Sequence, residues 1–237
     1  MLTVAVIPAR GGSKRIPRKN IRMFCGRPMI VWSIEAARAS GCFDRILVST
    51  DDAEIAALAE AHNAEVPFLR PEALADDHTG TLPVMAHAVA ALEEVGEPLS
   101  AVCCICATAR FLEADDLREG LSRLRESGAD YVFAATPYAF PIQRAIRIVE
   151  GGAVGMFDPS AFECRSQDLE PAYHDAGQFY WGRPEAWKEC RPIFTSAARV
   201  VVLPRYRVQD IDDYDDWLRA ELMFRALRES SVTKTAP

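Results

Sequence analysis

The chain alternates short apolar runs with longer stretches in which apolar residues recur every three or four positions. The short runs predict buried strands, and the periodic stretches predict amphipathic helices. The predicted strands span residues 2–7, 45–49, 101–106 and 131–136, and a shorter extended piece at 65–69 suits a sheet edge because it contains Pro67. The predicted helices span residues 28–39, 53–62, 81–95 and 113–127. This alternation implies an α/β domain with a mostly parallel sheet covered on both faces.

The alternation is interrupted between residues 137 and 178. Prolines at positions 137, 141 and 159 interrupt this stretch, and Gly151 and Gly152 separate two extended pieces at 145–149 and 153–157, which predicts a hairpin. We interpret the stretch as an excursion from a single domain of residues 1–230. Beyond it we expect a return strand at 178–181, a short helix at 184–189, a strand at 199–203, a final helix from Asp213 to about Glu229 and a disordered tail at 231–237. The apolar residues expected to face inward from the final helix are Trp217, Leu218, Leu222 and Leu227.

Composition narrows the class of protein. The 237 residues are 49% hydrophobic and 26% charged, as in ordinary globular proteins. The apolar runs are far too short for a membrane span, and the acidic balance disfavours nucleic acid as a partner. Cys103 and Cys106 form a Cys-x-x-Cys pair, but in a strand they point to opposite faces, so we expect no metal there. The seven cysteines therefore predict a reduced, cytoplasmic protein.

The segment from residue 7 to residue 20 follows the first predicted strand and is strongly basic. Residues 1–34 carry seven cations and no acid, although the whole chain has a net charge of −7. The adjacent Gly11 and Gly12 are expected to adopt positive φ angles, so that consecutive amides can bind an anion. The cations that suit phosphate oxygens here are Arg10, Lys14, Arg15, Arg18 and Lys19. We predict a phosphate-binding loop, the alternative being a basic loop that is merely solvated.

The position of this basic loop agrees with the predicted sheet. Ligands of parallel α/β sheets bind beyond the carboxyl ends of the strands, which is where a loop that follows the first strand lies. The spacing of the glycines does not match the Walker loop, which disfavours a kinase or an ATPase.

An acidic segment at residues 209–216 is the counterpart of the basic loop. It holds five aspartates within seven residues. Asp210 and Asp212 alternate in an extended stretch, so their carboxylates point to the same side and suit Mg²⁺ or another divalent metal. We assign Asp213, Asp215 and Asp216 to the start of the final helix, where the dipole favours anions. A cationic phosphate loop with paired carboxylates is typical of metal-assisted phosphoryl or nucleotidyl transfer.

The basic loop reads Ile7-Pro-Ala-Arg-Gly-Gly-Ser-Lys-Arg-Ile-Pro-Arg-Lys-Asn20, which resembles the signature loop of the CMP–sialic acid synthetase (acylneuraminate cytidylyltransferase) family. The resemblance covers nearly the whole chain. It is closest to one branch, the pseudaminic acid cytidylyltransferases, in Phe-Pro-Ile-Gln-Arg-Ala at 140–145, Arg-Ser-Gln-Asp-Leu-Glu at 165–170 and Tyr-His-Asp-Ala-Gly-Gln-Phe-Tyr-Trp at 173–181. It implies a Rossmann-like three-layer α/β/α fold of the nucleotide-diphospho-sugar transferase type. It also implies a homodimerisation lobe at 137–178, CTP and Mg²⁺.

The resemblance also implies roles for individual residues. Residues implied around the nucleotide are Arg10, Gly11, Gly12, Ser13, Lys14, Lys19, Asn20, Arg70, Thr81 and Thr108. Residues implied around the sugar acid are Gln143, Arg144, Arg165, Gln167 and Tyr173, the last reaching into the site of the other subunit. Lys14, Lys19, Asp210 and Asp212 would act in catalysis, with both aspartates on the metal.

Residues 106–110 depart from the family pattern. They read Cys-Ala-Thr-Ala-Arg, where sialic acid enzymes tend to have Gln-Pro-Thr-Ser-Pro. Thr108 remains, but Cys106 replaces a glutamine and Arg110 replaces a proline, so the family pattern does not predict the local geometry of this loop.

The function that the resemblance implies is transfer of CMP from CTP to a nonulosonic acid, pseudaminic acid in the first place. N-acetylneuraminic, legionaminic or deoxyoctulosonic acid are alternative acceptors. An alternative of another class is a non-catalytic nucleotide-binding protein, which would not need the pair Asp210 and Asp212.

Overall fold

A computed structural model describes residues 1–234, with side chains described through residue 229. The helices are α1 (Met29–Ser40), α2 (Ala53–Ala61), α3 (Thr81–Glu94), α4 (Ala114–Ser127), α5 (Pro184–Lys188) and α6 (Tyr214–Lys234). The strands are β1 (Leu2–Pro8), β2 (Met23–Phe24), β3 (Arg27–Pro28), β4 (Arg45–Ser49), β5 (Leu99–Ile105), β6 (Tyr131–Pro137), β7 (Ile146–Ile148), β8 (Val154–Met156), β9 (Tyr173–Gly182) and β10 (Ala198–Val202).

A six-stranded sheet has the order β10-β6-β9-β5-β1-β4. β1 pairs in parallel with β4 and β5, and β10 pairs in parallel with β6, so the predicted mostly parallel sheet is confirmed. β9 is antiparallel to both of its neighbours, β5 and β6. The reason is that the chain leaves β6 at Pro137 and re-enters the sheet beside it at Tyr173, at the same end. The return strand, expected at 178–181, is ten residues long.

Apolar layers cover both faces of the sheet. On one face, Ile34 of α1 and Leu117 of α4 lie in a buried cluster with Trp181 of β9. On the other face, Met85 of α3 packs in a cluster with Trp187 of α5. These two helical layers and the sheet between them form the expected α/β/α arrangement.

A third cluster joins the basic loop to the final helix. Phe24 of β2 lies edge-on to Trp217 and Phe224 of α6, with ring centroids 5.5 and 5.4 Å away. Ile16 and Ile211 are fully buried in the same cluster. Aromatic pairs in this geometry add to the stabilisation from burial. The cluster therefore fixes the basic loop beside the acidic segment that leads into α6.

The predicted inward face of α6 is partly wrong. Leu218 and Leu222 are 56% and 59% exposed, whereas Trp217, Ala220 and Phe224 are buried. The buried residues follow the spacing i, i+3, i+7 of one helix face, and the two leucines lie off that face. The helix also includes residues 231–234, where a disordered tail is predicted, and residues 235–237 lie outside the described residues.

The excursion at 137–178 forms a small extended lobe. It contains the predicted hairpin as the antiparallel pair β7 and β8. Gly151 and Gly152 have φ angles of 74° and 81°, which the tight connection between these strands requires and glycine adopts easily. Among residues 1–234, no helix combines the length and apolar character that crossing a membrane requires.

Candidate active site

A cavity of about 510 Å³ opens beyond the carboxyl ends of β1 and β5. The basic loop begins at the end of β1, and the loop with Cys106 and Thr108 begins at the end of β5. The predicted nucleotide-binding residues that line the cavity are Arg10, Ser13, Lys14, Lys19, Asn20, Arg70, Thr81 and Thr108. The structure thus brings most of that predicted set to one place, although their contacts with a nucleotide remain predictions.

The basic loop and the acidic segment meet beside this cavity. Lys19 Nζ donates a hydrogen bond of 2.7 Å to the carbonyl of Ile211, and Arg15 pairs with Asp212 Oδ1 at 2.6 Å. Burial lowers the pKa of Lys19, and the charges of Asp210 and Asp212 oppose that shift. The cations that suit phosphates therefore lie next to the carboxylates that suit a metal.

The other aspartates of the acidic segment lie at the start of α6, as predicted: Asp213 and Asp216 make capping hydrogen bonds, and Asp215 lies in the first turn. Asp213 Oδ1 accepts a hydrogen bond of 2.9 Å from the Asp216 amide, in the manner of a helix N-cap. Asp216 Oδ2 accepts from the Asp212 amide at 3.0 Å, and Asp216 Oδ1 accepts from Gln209 Nε2 at 3.0 Å. These bonds hold the Gln209 side chain and the Asp212 backbone on either side of Ile211, which is fully buried. Asp210 and Asp212 flank this anchor, and the Asp210 side chain is exposed.

Two carboxylates suit a metal whose remaining ligands come from water and a substrate. Among residues 1–234, no three acidic, histidine or cysteine side chains are grouped to hold an ion alone. Mg²⁺ is typically bound by one or two carboxylates, with water and substrate phosphates completing the octahedron. Asp212, which pairs with Arg15, and Asp210, whose charge acts on Lys19, are the candidates for that incomplete set of protein ligands, and both lie outside the lining of the 510 Å³ cavity.

Asp77 is a site residue that sequence reasoning missed. Arg10 Nη1 pairs with its Oδ1 at 2.7 Å, and Lys14 pairs with its Oδ2. Hydrogen bonds from Lys14 and then Arg10 lower the pKa of the Asp77 carboxyl. The carboxylate takes the place of an anionic partner for these cations, so a bound triphosphate would compete with it. The sequence feature that could have indicated this role is the pair of acidic residues Asp76 and Asp77 in the loop before α3.

The glycines of the basic loop act differently from the prediction. Neither Gly11 nor Gly12 has a positive φ angle, and the loop residue in the left-handed region is Arg18, at 57°. Gly11 is needed for close approach, since a Cβ there would lie 2.5 Å from Asp52 Oδ2. Its amide donates to Asp51 Oδ1 at 3.0 Å. The expected positive φ angles are therefore wrong, and the Gly11 amide is turned toward a carboxylate of the protein.

Arg18 also differs from the other cations of the loop. Its guanidinium donates to Asp52 and Glu54 at the start of α2, whereas Arg10, Lys14, Arg15 and Lys19 line the cavity. Arg18 thus anchors the loop to its neighbouring helix.

Comparison with known proteins decides the family. Residues 4–146, more than half of the chain, match the family model described as cytidylyltransferase. The chain belongs to the cytidylyltransferase family. It is 43% identical to a pseudaminic acid cytidylyltransferase of Campylobacter jejuni over 98% of this chain and 100% of that protein. It is 29% identical to a CMP-N,N'-diacetyllegionaminic acid synthase of Legionella pneumophila over 98% of this chain and 100% of that one.

A solved structure shows the same fold. It is a CMP:2-keto-3-deoxy-manno-octonic acid synthetase complexed with CTP, with a TM-score of 0.68, 16% sequence identity, and coverage of 94% of this chain and 98% of that one. The likeness confirms the nucleotide-diphospho-sugar transferase-like architecture expected from the sequence.

The predicted sugar-binding residues of this cytidylyltransferase lie in its extended lobe. Gln143 Nε2 donates to the carbonyl of Glu170 at 2.9 Å, and Arg165 Nε donates to Asp168 at 2.6 Å. Tyr173 is 52% exposed at the start of β9. None of these three, nor Arg144 or Gln167, lines the 510 Å³ cavity of the same chain. Their roles toward the sugar remain predictions.

The departures at residues 106 and 110 have different surroundings in this cytidylyltransferase. Cys106 lines the cavity, and burial raises the pKa of its thiol to about 12, which keeps it neutral. Arg110 does not line the cavity and is only 6% exposed behind it. Burial lowers the pKa of its guanidinium to about 9, so it stays charged at neutral pH.

Proposed function

We propose that this cytidylyltransferase uses CTP to activate a nonulosonic acid, pseudaminic acid, to its CMP-sugar with release of pyrophosphate. The observation that carries the proposal is the contact between Lys19 and Ile211, which sets the cationic loop against the segment of Asp210 and Asp212. A protein that only bound a nucleotide would not need paired carboxylates at this place. The choice of sugar acid rests on full-length similarity to a pseudaminic acid cytidylyltransferase.

In the reaction, the C2 hydroxyl of the sugar acid attacks the α-phosphorus of CTP. A bond forms from that oxygen to phosphorus, the bond to the oxygen that bridges to the β-phosphate breaks, and the hydroxyl proton passes to solvent. Arg10, Lys14 and Lys19 stabilise the charge on the departing pyrophosphate. A divalent cation held by Asp210 and Asp212 would supply charge at the α-phosphate and lower the proton affinity of the attacking hydroxyl. Positioning and charge dominate such transfers.

Arg70 and Thr81 line one end of the cavity. Arg70 is 6% exposed, and its Nε donates to Ser49 Oγ at 3.2 Å. Thr81 starts α3, whose amino terminus faces the cavity and favours negative charge. We assign this end to the cytidine and its adjoining phosphate.

The test is a pyrophosphate-release assay with Mg²⁺, the four nucleoside triphosphates and a panel of sugar acids. We expect turnover with CTP and pseudaminic acid and little with ATP, GTP or UTP. A higher kcat/KM with legionaminic, N-acetylneuraminic or deoxyoctulosonic acid would replace the assigned acceptor and leave the reaction class intact. Absence of pyrophosphate with every acid would favour a protein that binds a nucleotide without chemistry.

The lobe carries a surface that suits a homodimer. Its large apolar side chains with more than two fifths of their surface exposed are Tyr138, Phe140, Ile142, Ile146, Ile148, Val149, Val154, Phe157, Phe162 and Tyr173. Contiguous exposed apolar patches mark interaction sites in soluble proteins. The predicted sugar-binding residues lie in the same lobe, so pairing of two lobes would bring those of one subunit toward the site of the other.

Replacing Ile148 by aspartate should make the protein monomeric, because Ile148 is 80% exposed on β7 and a charge there would be buried in the interface. Sedimentation velocity measures the change, and the KM for the sugar acid should rise in parallel. The matched control is Val95→Asp, since Val95 is 72% exposed outside the lobe and should leave the dimer unchanged. A wild-type monomer, or a dimer that survives the Ile148 change, contradicts the assignment.

The location proposed for this enzyme is the cytoplasm. The seven cysteines are all free thiols in the structure. Free thiols persist in a reducing compartment, and a reaction that uses CTP needs the nucleotide pool of that compartment.

A further inference from the structure

Arg110 lies where three loops of the site meet. It belongs to the loop after β5, which also carries Thr108. Its Nη1 donates to the carbonyl of Thr108 at 3.0 Å, and its Nη2 donates to the carbonyl of Gln209, the residue before Asp210. Its guanidinium carbon lies 5.8 Å from the ring centre of Phe24, which follows the basic loop. A single side chain therefore contacts the loop of Thr108, the segment before Asp210 and the strand that follows the basic loop.

The surroundings of this arginine are unusual for a charged side chain. A buried guanidinium is rare unless it is paired, because removing its charge from water is costly. Here the ring of Phe111 lies 4.5 Å from the guanidinium carbon, and the carboxylates of Asp210 and Asp216 are near enough to favour its charge.

The contacts define a separation between two parts of the site. Thr108 lines the cavity, and Asp210 follows Gln209 directly. Because one planar guanidinium binds the carbonyls of Thr108 and Gln209, these two loops cannot move apart without breaking a charge-assisted hydrogen bond. Displacements of about 1 Å in a reacting geometry can lower a rate about 100-fold.

We propose that Arg110 is a positioning residue that holds the Thr108 loop and the Asp210 segment at the separation the transfer reaction requires. This inference rests on the proposed function. Arg110 would act on kcat through the geometry of the site, and it would contribute little to the binding of CTP or metal. Arg110 and a metal ion are both positively charged and repel each other, so removing the Arg110 side chain beside Asp210 would not weaken metal binding.

The test compares Arg110→Met and Arg110→Lys with wild type by pyrophosphate release, varying CTP and Mg²⁺. We expect Arg110→Met to lower kcat about 100-fold, with the KM for CTP within about threefold of wild type. Arg110→Lys keeps the charge and reaches one carbonyl, so its kcat should fall only about tenfold. Excess Mg²⁺ should not restore either variant. Arg123→Met is the matched control, because Arg123 donates to the carbonyl of Val200 at 2.7 Å on the exposed side of α4.

Several results would overturn the inference. One is a kcat for Arg110→Met within threefold of wild type, and another is recovery of its turnover by added Mg²⁺, which would place the effect on metal binding. If circular dichroism shows that Arg110→Met is unfolded, Arg110→Lys decides, and a wild-type kcat in that variant refutes positioning by two carbonyl bonds. If the wild-type enzyme is active and Arg110→Met is equally active, this inference is wrong and the proposed function stands. A wild type without turnover removes the proposed function, and this inference fails with it.

Discussion

Replacing Asp210 by asparagine should lower kcat about 10³-fold while leaving the fold intact. The change removes the charge of a proposed metal ligand and keeps the size of the side chain. Asp210 is exposed, and its Oδ1 accepts a hydrogen bond of 2.8 Å from the Ile211 amide, which an asparagine oxygen can also accept. The free energy of unfolding should therefore change by less than about 0.5 kcal/mol.

The measurement that isolates the metal role is turnover as a function of Mg²⁺ concentration. The Asp210→Asn enzyme should need more Mg²⁺ for half-maximal rate, because one of two carboxylate ligands is weakened. Asp215→Asn is the matched control, since Asp215 lies in the first turn of α6 and is exposed. It loses the same charge a few residues away and should keep wild-type metal dependence. The same Mg²⁺ dependence in Asp210→Asn and wild type would remove the metal assignment.

Lys19→Ala should lower kcat/KM for CTP about 10²–10³-fold. Lys19 has two functions in the structure: its charge faces the cavity, and its Nζ holds the carbonyl of Ile211 at 2.7 Å. The alanine variant loses a cation for the pyrophosphate and frees the segment between Asp210 and Asp212. Initial rates at sub-saturating CTP measure the effect, and unchanged rates there would refute the phosphate role.

The matched control for the Lys19→Ala variant is Lys188→Ala. Lys188 pairs with Glu93 near the carboxyl end of α3 and does not line the cavity, so its loss should leave the rates unchanged. The pKa of Lys19 also predicts how activity depends on pH. Burial lowers this pKa below that of an ordinary lysine, so Lys19 loses its positive charge at a lower pH than an exposed lysine does. The alkaline decline of wild-type kcat/KM should therefore begin at a lower pH than the titration of an exposed lysine.

Much of the fold follows from local patterns. The strands β1, β4, β5 and β6 and the helices between them agree with the predicted spans, because each buries a face whose period is visible in the sequence. The direction of β9 is not visible in that way. A short apolar run is the same whether its neighbours are parallel or antiparallel, and only the route of the chain through the lobe sets its direction.

The inward face of α6 shows the same limit on a smaller scale. Leu218 and Leu222 are as apolar as their neighbours, and hydrophobicity alone favours burying them. The position of Phe24 in β2 and Trp32 in α1 decides which face of the helix packs, and both elements lie near the start of the chain. A one-dimensional pattern does not contain the location of a partner about 190 residues away.

The residue types and spacings along the chain determined which chemical groups the site contains. These groups are a cationic loop after the first strand and two neighbouring carboxylates after the last strand. The tertiary structure decided how these groups are used. It paired Arg10 and Lys14 with Asp77, turned Arg18 toward Asp52, and put Arg110 between Thr108 and Gln209. The physical reason is distance along the chain, since Lys19 and Ile211 are 192 residues apart. They meet only in the folded sheet, where β1 and β10 run in the same direction and the loops after them leave the same edge.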